Sequence, residues 1–162
     1  MSYTRTPVVL SVLVLAGIAA GGCTLFEERE LTERVAFSRV RPPVAFEMLR
    51  DAPGTPVLDL RTAEEFTDEQ GHVKGARNLP LDELPERLDQ LVPLKDRTFL
   101  VYCGSDACGE QALTALLEAG YEEAILMDGG IEAWLEDGFG TVTGPPPPME
   151  FPPARTERAE VD

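Results

Sequence analysis

At 162 residues the chain is long enough for one compact domain with short appendages and too short for two ordinary domains. Fourteen Lys and Arg against 29 Asp and Glu leave a formal charge of −15, which excludes the electrostatic footprint of a nucleic-acid binder. The 43% of hydrophobic residues can supply a core, and a conventional zinc site would need the single His and all three Cys or help from carboxylates, so no metal is expected; no other cofactor is implied by the sequence.

Residues 8–20, VVLSVLVLAGIAA, form an apolar run of thirteen behind a start that carries Arg5. A bilayer span needs roughly 20 such residues, so this length fits the hydrophobic segment of an export signal. The run leads into Ala20-Gly21-Gly22-Cys23, and small residues ending in a cysteine resemble the lipobox of bacterial lipoproteins. That resemblance implies a signal peptide over 1–22 and acylation of Cys23. It also implies residence in the bacterial cell envelope, held to the membrane by lipid on the periplasmic side. Thr24, rather than Asp, follows the cysteine, which in Gram-negative lipoproteins implies outer-membrane sorting. An ordinary signal peptide, or an uncleaved anchor, with an incidental Cys23 is the alternative.

Residues 23–36 are charged and lack a core period, so they read as a tether. Residues 141–162 hold six of the fourteen prolines and read as an extended, disordered tail. Between them, residues 37–140 alternate short apolar runs with helical patterns. Val44 to Arg50 follows Pro43 at a natural first-turn position, and Thr62 with Glu65 makes a capping box. Runs of strand-formers cover 56–60, 98–102 and 124–127. Leu84, Leu88 and Leu91 share a helical face, as do Leu113, Leu116 and Leu117. Strand and helix in this alternation predict an α/β layer fold with a small, mainly parallel sheet flanked by helices.

In such sheets the binding crevice lies beyond the carboxyl ends of the strands, and the strand Leu100-Val101-Tyr102 runs directly into Cys103. Cys103 is therefore a candidate nucleophile, with a buried packing cysteine as the equal alternative. The loop Gly104-Ser105-Asp106-Ala107-Cys108-Gly109 follows, then a helix. Loop N–H groups and the positive end of that helix favour an anion on the sulfur, which lowers the thiol pKa.

Around this strand, Asp59-Leu60-Arg61, Glu65-Phe66 and the run Gly71-His72-Val73-Lys74-Gly75-Ala76-Arg77-Asn78-Leu79-Pro80 resemble the first signature of the rhodanese-like family, a resemblance that extends over about 100 residues. Tyr102-Cys103 resembles its strand end and nucleophile. Leu117-Glu118-Ala119-Gly120-Tyr121 and the run Met127-Asp128-Gly129-Gly130-Ile131-Glu132-Ala133-Trp134 resemble its closing helix and final motif. The resemblance implies a three-layer domain and sulfurtransferase chemistry. Cys103 would take sulfur from a small donor or a protein persulfide, hold it as a persulfide, and pass it to a thiophilic acceptor. Asp59, Arg61, His72 and Trp134 read as structural support, the first two as an ion pair tying the strand end, His72 as ordering a turn and Trp134 as core.

Two features of the loop set this chain apart. No basic residue lies between Cys103 and Gly109, and Asp106 would repel a dianionic donor, so thiosulfate is not the expected substrate. The loop is also too compact, and lacks the Arg, for a cysteine phosphatase or arsenate reductase. Cys108 reads either as a resolving thiol able to pair with Cys103 in an oxidising compartment or as a small apolar residue in the helix's first turn. Two other functions compete with sulfur transfer. One is a thiol–disulfide redox protein using Cys103 and Cys108; the other is an inactive rhodanese-like binding module that recruits a partner through its acidic surface.

Overall fold

The computed structural model of the protein describes residues 38–151. In chain order, β1 (Arg39–Val40) leads to α1 (Pro42–Asp51), and β2 (Val57–Asp59) to α2 (Ala63–Thr67). β3 (Arg77–Asn78) leads to two 3-10 segments (Leu84–Glu86 and Leu88–Leu94), β4 (Phe99–Tyr102) to α3 (Asp106–Glu118), and β5 (Ala124–Met127) to α4 (Gly130–Glu136). All strand pairs are parallel, in the order β1-β5-β4-β2-β3.

Helices cover both faces, which explains why the inner strands read as continuous apolar runs rather than alternating ones. Leu58, Phe99, Val101 and Leu126 pack against Leu113, Leu116 and Leu117 of α3 and against Leu91 and Leu94. Their strand neighbours Val57, Leu100, Tyr102 and Met127 face the other way, onto Ala45 of α1, Phe66 of α2 and Ile131 and Trp134 of α4. The architecture is the expected three-layer α/β domain. Pro42 and Pro43 open α1, where a missing N–H costs nothing. Thr62 and Glu65 cap α2 reciprocally, the Glu65 N–H reaching Thr62 Oγ1 at 3.2 Å and the Thr62 N–H reaching Glu65 Oε2 at 2.9 Å.

Three details differ from the expectations above. The segment holding Leu84, Leu88 and Leu91 forms 3-10 turns rather than an α-helix, because Pro85 and Pro93 remove backbone donors that an α-helix would use. β1 and β3, at two residues each, are too short to leave a periodic signal. The stretch from 141 to 151, expected as an extended tail, instead lies against the domain. Val142 exchanges backbone hydrogen bonds of 2.9 Å with His72, and Arg77 donates to the Pro148 carbonyl at 3.0 Å while covering the Phe151 ring. The signal segment, Cys23, the tether and residues 152–162 lie outside the described residues. Among the described residues no helix is long and apolar enough to cross a membrane.

Candidate active site

α2 follows β2 on one face of the sheet and α3 follows the adjacent β4 on the other, so a crevice opens between the carboxyl ends of these two strands. Gly104 and Arg61 meet there. A Cβ on Gly104 would lie 3.9 Å from Arg61 Cδ and 3.9 Å from Glu65 Oε1, the carboxylate oxygen that the capping box leaves free.

The β2 side of the crevice is a rigid, buried polar frame. Arg61 and Asp59 are 2% and 0% exposed, and the guanidinium reaches the carboxylate through both Nε and Nη2, the latter at 2.6 Å. Nη2 also donates to the Gly71 carbonyl at 2.8 Å and Nη1 to Gln70 Oε1 at 3.2 Å, so the arginine ties the strand end to the following turn. The Tyr102 hydroxyl donates to Asp59 Oδ2 at 2.6 Å and accepts the Val73 N–H at 3.1 Å. Burial, reinforced by the Asp59 charge, raises the Tyr102 pKa well above its ordinary value and keeps the phenol neutral as a donor. Burial alone would lower the Arg61 pKa; the hydrogen bond and charge of Asp59 outweigh it and leave the guanidinium pKa raised. Asn78 Nδ2 bridges the carbonyls of Asp59 and Arg61. His72 is buried, with Nδ1 3.0 Å from the Phe66 carbonyl and its ring stacked 3.7 Å from that of Phe66. Trp134 is core, its Nε1 donating to the Gly140 carbonyl at 3.1 Å. The structure thus places Asp59 and Arg61 as a buried ion pair at the strand end, His72 against Phe66 and Trp134 in the core.

On the β4 side, Cys103 is 4% exposed and bonded through sulfur to Cys108, with a Cα separation of 5.9 Å. The loop is shorter than expected. α3 begins at Asp106, so only Gly104 and Ser105 lie outside regular structure, while Asp106, Ala107, Cys108 and Gly109 belong to the helix. The Gly109 N–H already bonds the Ser105 carbonyl at 3.1 Å, and the N–H groups ahead of it stand at the positive end of the helix. Two glycines press this turn and the strand end against their neighbours. A Cβ on Gly109 would meet Leu126 Cδ1 at 2.6 Å, and one on Gly130 would meet the Cys103 carbonyl oxygen at 2.1 Å. That carbonyl accepts the Ile131 N–H at 3.0 Å.

Asp106 stands differently from the expectation that it would simply repel donors. Its carboxylate accepts the Gly129 N–H at 2.6 Å and lies 3.7 Å from an Nη of Arg39, which also pairs with Glu110 and Asp128. The hydrogen bonds from Arg39 to Glu110 and then Asp128 raise the arginine's pKa. One cation from β1 therefore gathers three carboxylates beside the first turn of α3, offsetting part of their charge. Sequence reasoning did not find this cluster. Arg39 lies at the very start of the domain, its partners are 67 to 89 positions away, and no motif links them. Among the described residues no group of His, Cys, Asp and Glu is arranged to hold a metal ion. A groove of about 750 Å3 between Phe46, Leu49, Trp134, Lys74, Arg77 and Phe151 is not lined by any residue from 103 to 109 and is separate from this site.

The profile of the rhodanese-like domain family matches residues 43–137. The chain belongs to the rhodanese-like family. This rhodanese-like chain is 34% identical over 94 residues to a sulfurtransferase of Allochromatium vinosum, covering 58% of this chain and 84% of that one. It is 42% identical over 64 residues to the thiosulfate sulfurtransferase PspE of Escherichia coli, covering 40% of this chain and 60% of PspE. Among solved structures, the rhodanese-like domain of an Anabaena protein matches with a TM-score of 0.59 at 28% identity, over 66% of this chain and 80% of that one. The chain therefore spans most of the first relative and about three fifths of the second.

Proposed function

We propose that this rhodanese-like chain is a sulfurtransferase in which reduced Cys103 is the nucleophile and carrier. The observation that carries the reading is the position of Cys103: the residue directly after the inner parallel strand β4, bonded to the first turn of α3 and so held at that helix's positive end, in a family whose relatives bear sulfurtransferase names. The Cys103 thiolate attacks the sulfane sulfur of a donor, its bond to the rest of the donor breaks, and that remainder leaves with the electron pair. The persulfide then passes its outer sulfur to a thiophilic acceptor and Cys103 returns as thiolate. Gly104 leaves the approach open, the first-turn N–H groups of α3 stabilise the anion in both states, and Asp59, Arg61 and Tyr102 keep the neighbouring strand end in place. With Cys103 in a disulfide the sulfur cannot attack, so reduction precedes loading.

The donor is a neutral species, a polysulfide or a protein persulfide in preference to thiosulfate. Glu65 lies beside Gly104, and Asp106, Glu110 and Asp128 add negative charge near the first turn of α3, where Arg39 is already engaged with all three. Export and anchoring through acylated Cys23 complete the proposal, putting the domain in an envelope compartment where the Cys103–Cys108 bond persists until a reductant arrives. Initial rates of sulfur transfer to cyanide, from thiosulfate and from polysulfide, test the donor assignment. Equal rates would remove it. Partition of the mature protein into the aqueous phase of a detergent separation would remove the anchor. The disulfide itself favours a second reading, a dithiol–disulfide redox protein; a reduced chain that cycles between thiols and disulfide without ever taking up sulfur would establish it.

A further inference from the structure

Resting on the sulfur-transfer reading, we propose that Cys108 is a second catalytic residue, which discharges the Cys103 persulfide and releases the carried sulfur as hydrogen sulfide. The two sulfurs are bonded, and the Cα separation of 5.9 Å lies within the ordinary disulfide range. The backbone on each side is held in place. The Cys103 carbonyl is clamped by the Ile131 N–H and the close approach of Gly130, while Gly109 against Leu126 and Asp106 on the Gly129 N–H fix the first turn of α3. A thiol at Cys108 is therefore already in reach of Cys103 Sγ whenever that atom carries a sulfur.

The step balances without an external oxidant. The Cys108 thiolate attacks Cys103 Sγ, the bond from Sγ to the outer sulfur breaks, and hydrosulfide leaves with the electron pair. The sulfane sulfur is reduced to sulfide and the two cysteine thiols are oxidised to the disulfide. Hydrosulfide is a better leaving group than an alkyl thiolate, which sets the direction. A dithiol reductant closes the cycle. Cys108 is half-buried where Cys103 is 4% exposed, so the incoming thiol attacks Cys108 Sγ and Cys103 departs as the thiolate needed for the next sulfur. The second thiol of the reductant then frees Cys108. The disulfide is on this account the state that follows discharge, and the sulfur-carrier and redox readings become two halves of one cycle.

The test uses the full chain carrying Cys23→Ser, so that Cys103 and Cys108 are its only thiols. The protein is reduced, freed of reductant and mixed anaerobically with one equivalent of inorganic tetrasulfide, whose loading expels trisulfide rather than sulfide, and sulfide is counted above a Cys103→Ser blank. The expected result is a sulfide burst and a product lighter by two hydrogens, with no retained sulfur. Cys108→Ser, checked for a native melting transition, retains the mass of one sulfur on Cys103 and releases sulfide at least about a hundredfold more slowly, the gain an oriented intramolecular thiol gives at a minimum. Cys108→Ala should match it. A native pair that keeps its sulfur adduct, or a Cys108→Ser chain that releases sulfide at the native rate, overturns the proposal. A folded Cys108→Ser chain that takes up no sulfur overturns the underlying sulfur-transfer reading instead.

Discussion

Gly130 is the position where a single methyl group reports most directly on how the site is built. Its φ of +58° lies in the left-handed region, where an L side chain costs about 1–2 kcal/mol. The new Cβ would also stand 2.1 Å from the Cys103 carbonyl oxygen and 2.9 Å from its carbon, so strand end and helix must separate. The oxygen that moves is the acceptor of the Ile131 N–H, and loss of a buried hydrogen bond costs about 1–3 kcal/mol more. Gly130→Ala is thus expected to destabilise the chain by about 2–5 kcal/mol in urea unfolding. Gly138→Ala is the control, because its φ is +82° but nothing lies within 4 Å of the added carbon. It should lose only the conformational part, about 1–2 kcal/mol. The two variants should also differ in chemistry: Gly130→Ala slows closure of the Cys103–Cys108 bond after reduction, and Gly138→Ala leaves it unchanged. Equal stabilities for the two, or a Gly130→Ala chain within about 1 kcal/mol of native, would refute the claim that this contact sets the position of Cys103.

Asp59→Ala leaves the Arg61 guanidinium buried without its counter-charge, and urea unfolding should show a loss of about 3–5 kcal/mol. Arg61→Lys should fail to replace the arginine, since one ammonium cannot serve Asp59, Gln70 and the Gly71 carbonyl together; native stability would contradict this. Because the Tyr102 pKa is raised in the folded state, its contribution is complete below the unfolded value near about 10 and is lost as pH climbs above that through the folded value. Tyr102→Phe should flatten that alkaline fall while costing about 1–3 kcal/mol at neutral pH, because the Val73 N–H loses its acceptor; thermal melts across alkaline pH read both. Arg39→Ala removes the cation among Asp106, Glu110 and Asp128, and should slow loading from thiosulfate several-fold more than from a neutral donor, an effect that added salt suppresses. Reducing the disulfide, whose sequence separation is only five, should cost about 2 kcal/mol and leave the domain folded; loss of the native circular dichroism on reduction would oppose this.

The architecture was legible because burial on both faces writes strands 99–102 and 124–127 as unbroken apolar runs between turn residues, and strand 57–59 as one broken only by the ion-paired Asp59 at its end. The capping box at Thr62 and Glu65 and the prolines opening α1 are local signals whose physics does not depend on the rest of the fold. The position of Cys103 was legible for the same kind of reason: a cysteine directly after a buried strand and ahead of a helix lies at the crevice. What the sequence hid were features made by distant partners. Arg39 pairs with residues contributed by α3 and by the end of β5, and the final segment docks through Val142, Pro148 and Phe151 onto groups some 70 positions away. The 3-10 segments escaped because the leucine spacing favours an α-helix and only Pro85 and Pro93 veto it. The length of the loop depended on Asp106, Ala107 and Cys108 being helical, which Ser105 and Asp106 permit but do not dictate. Whether Cys108 could reach Cys103 was a question of Cα separation, and only the structure answers it.

The central claim is that Cys103, once reduced, carries sulfur. It is tested most directly by treating the reduced Cys108→Ser chain with polysulfide labelled in its sulfane sulfur, locating the label by mass on the peptide that spans positions 103 and 108, and chasing with cyanide. The account predicts one equivalent of label, lost entirely when Cys103→Ser is added, and its quantitative appearance as thiocyanate in the chase. No label on the folded, reduced chain, or label that survives Cys103→Ser, would contradict it.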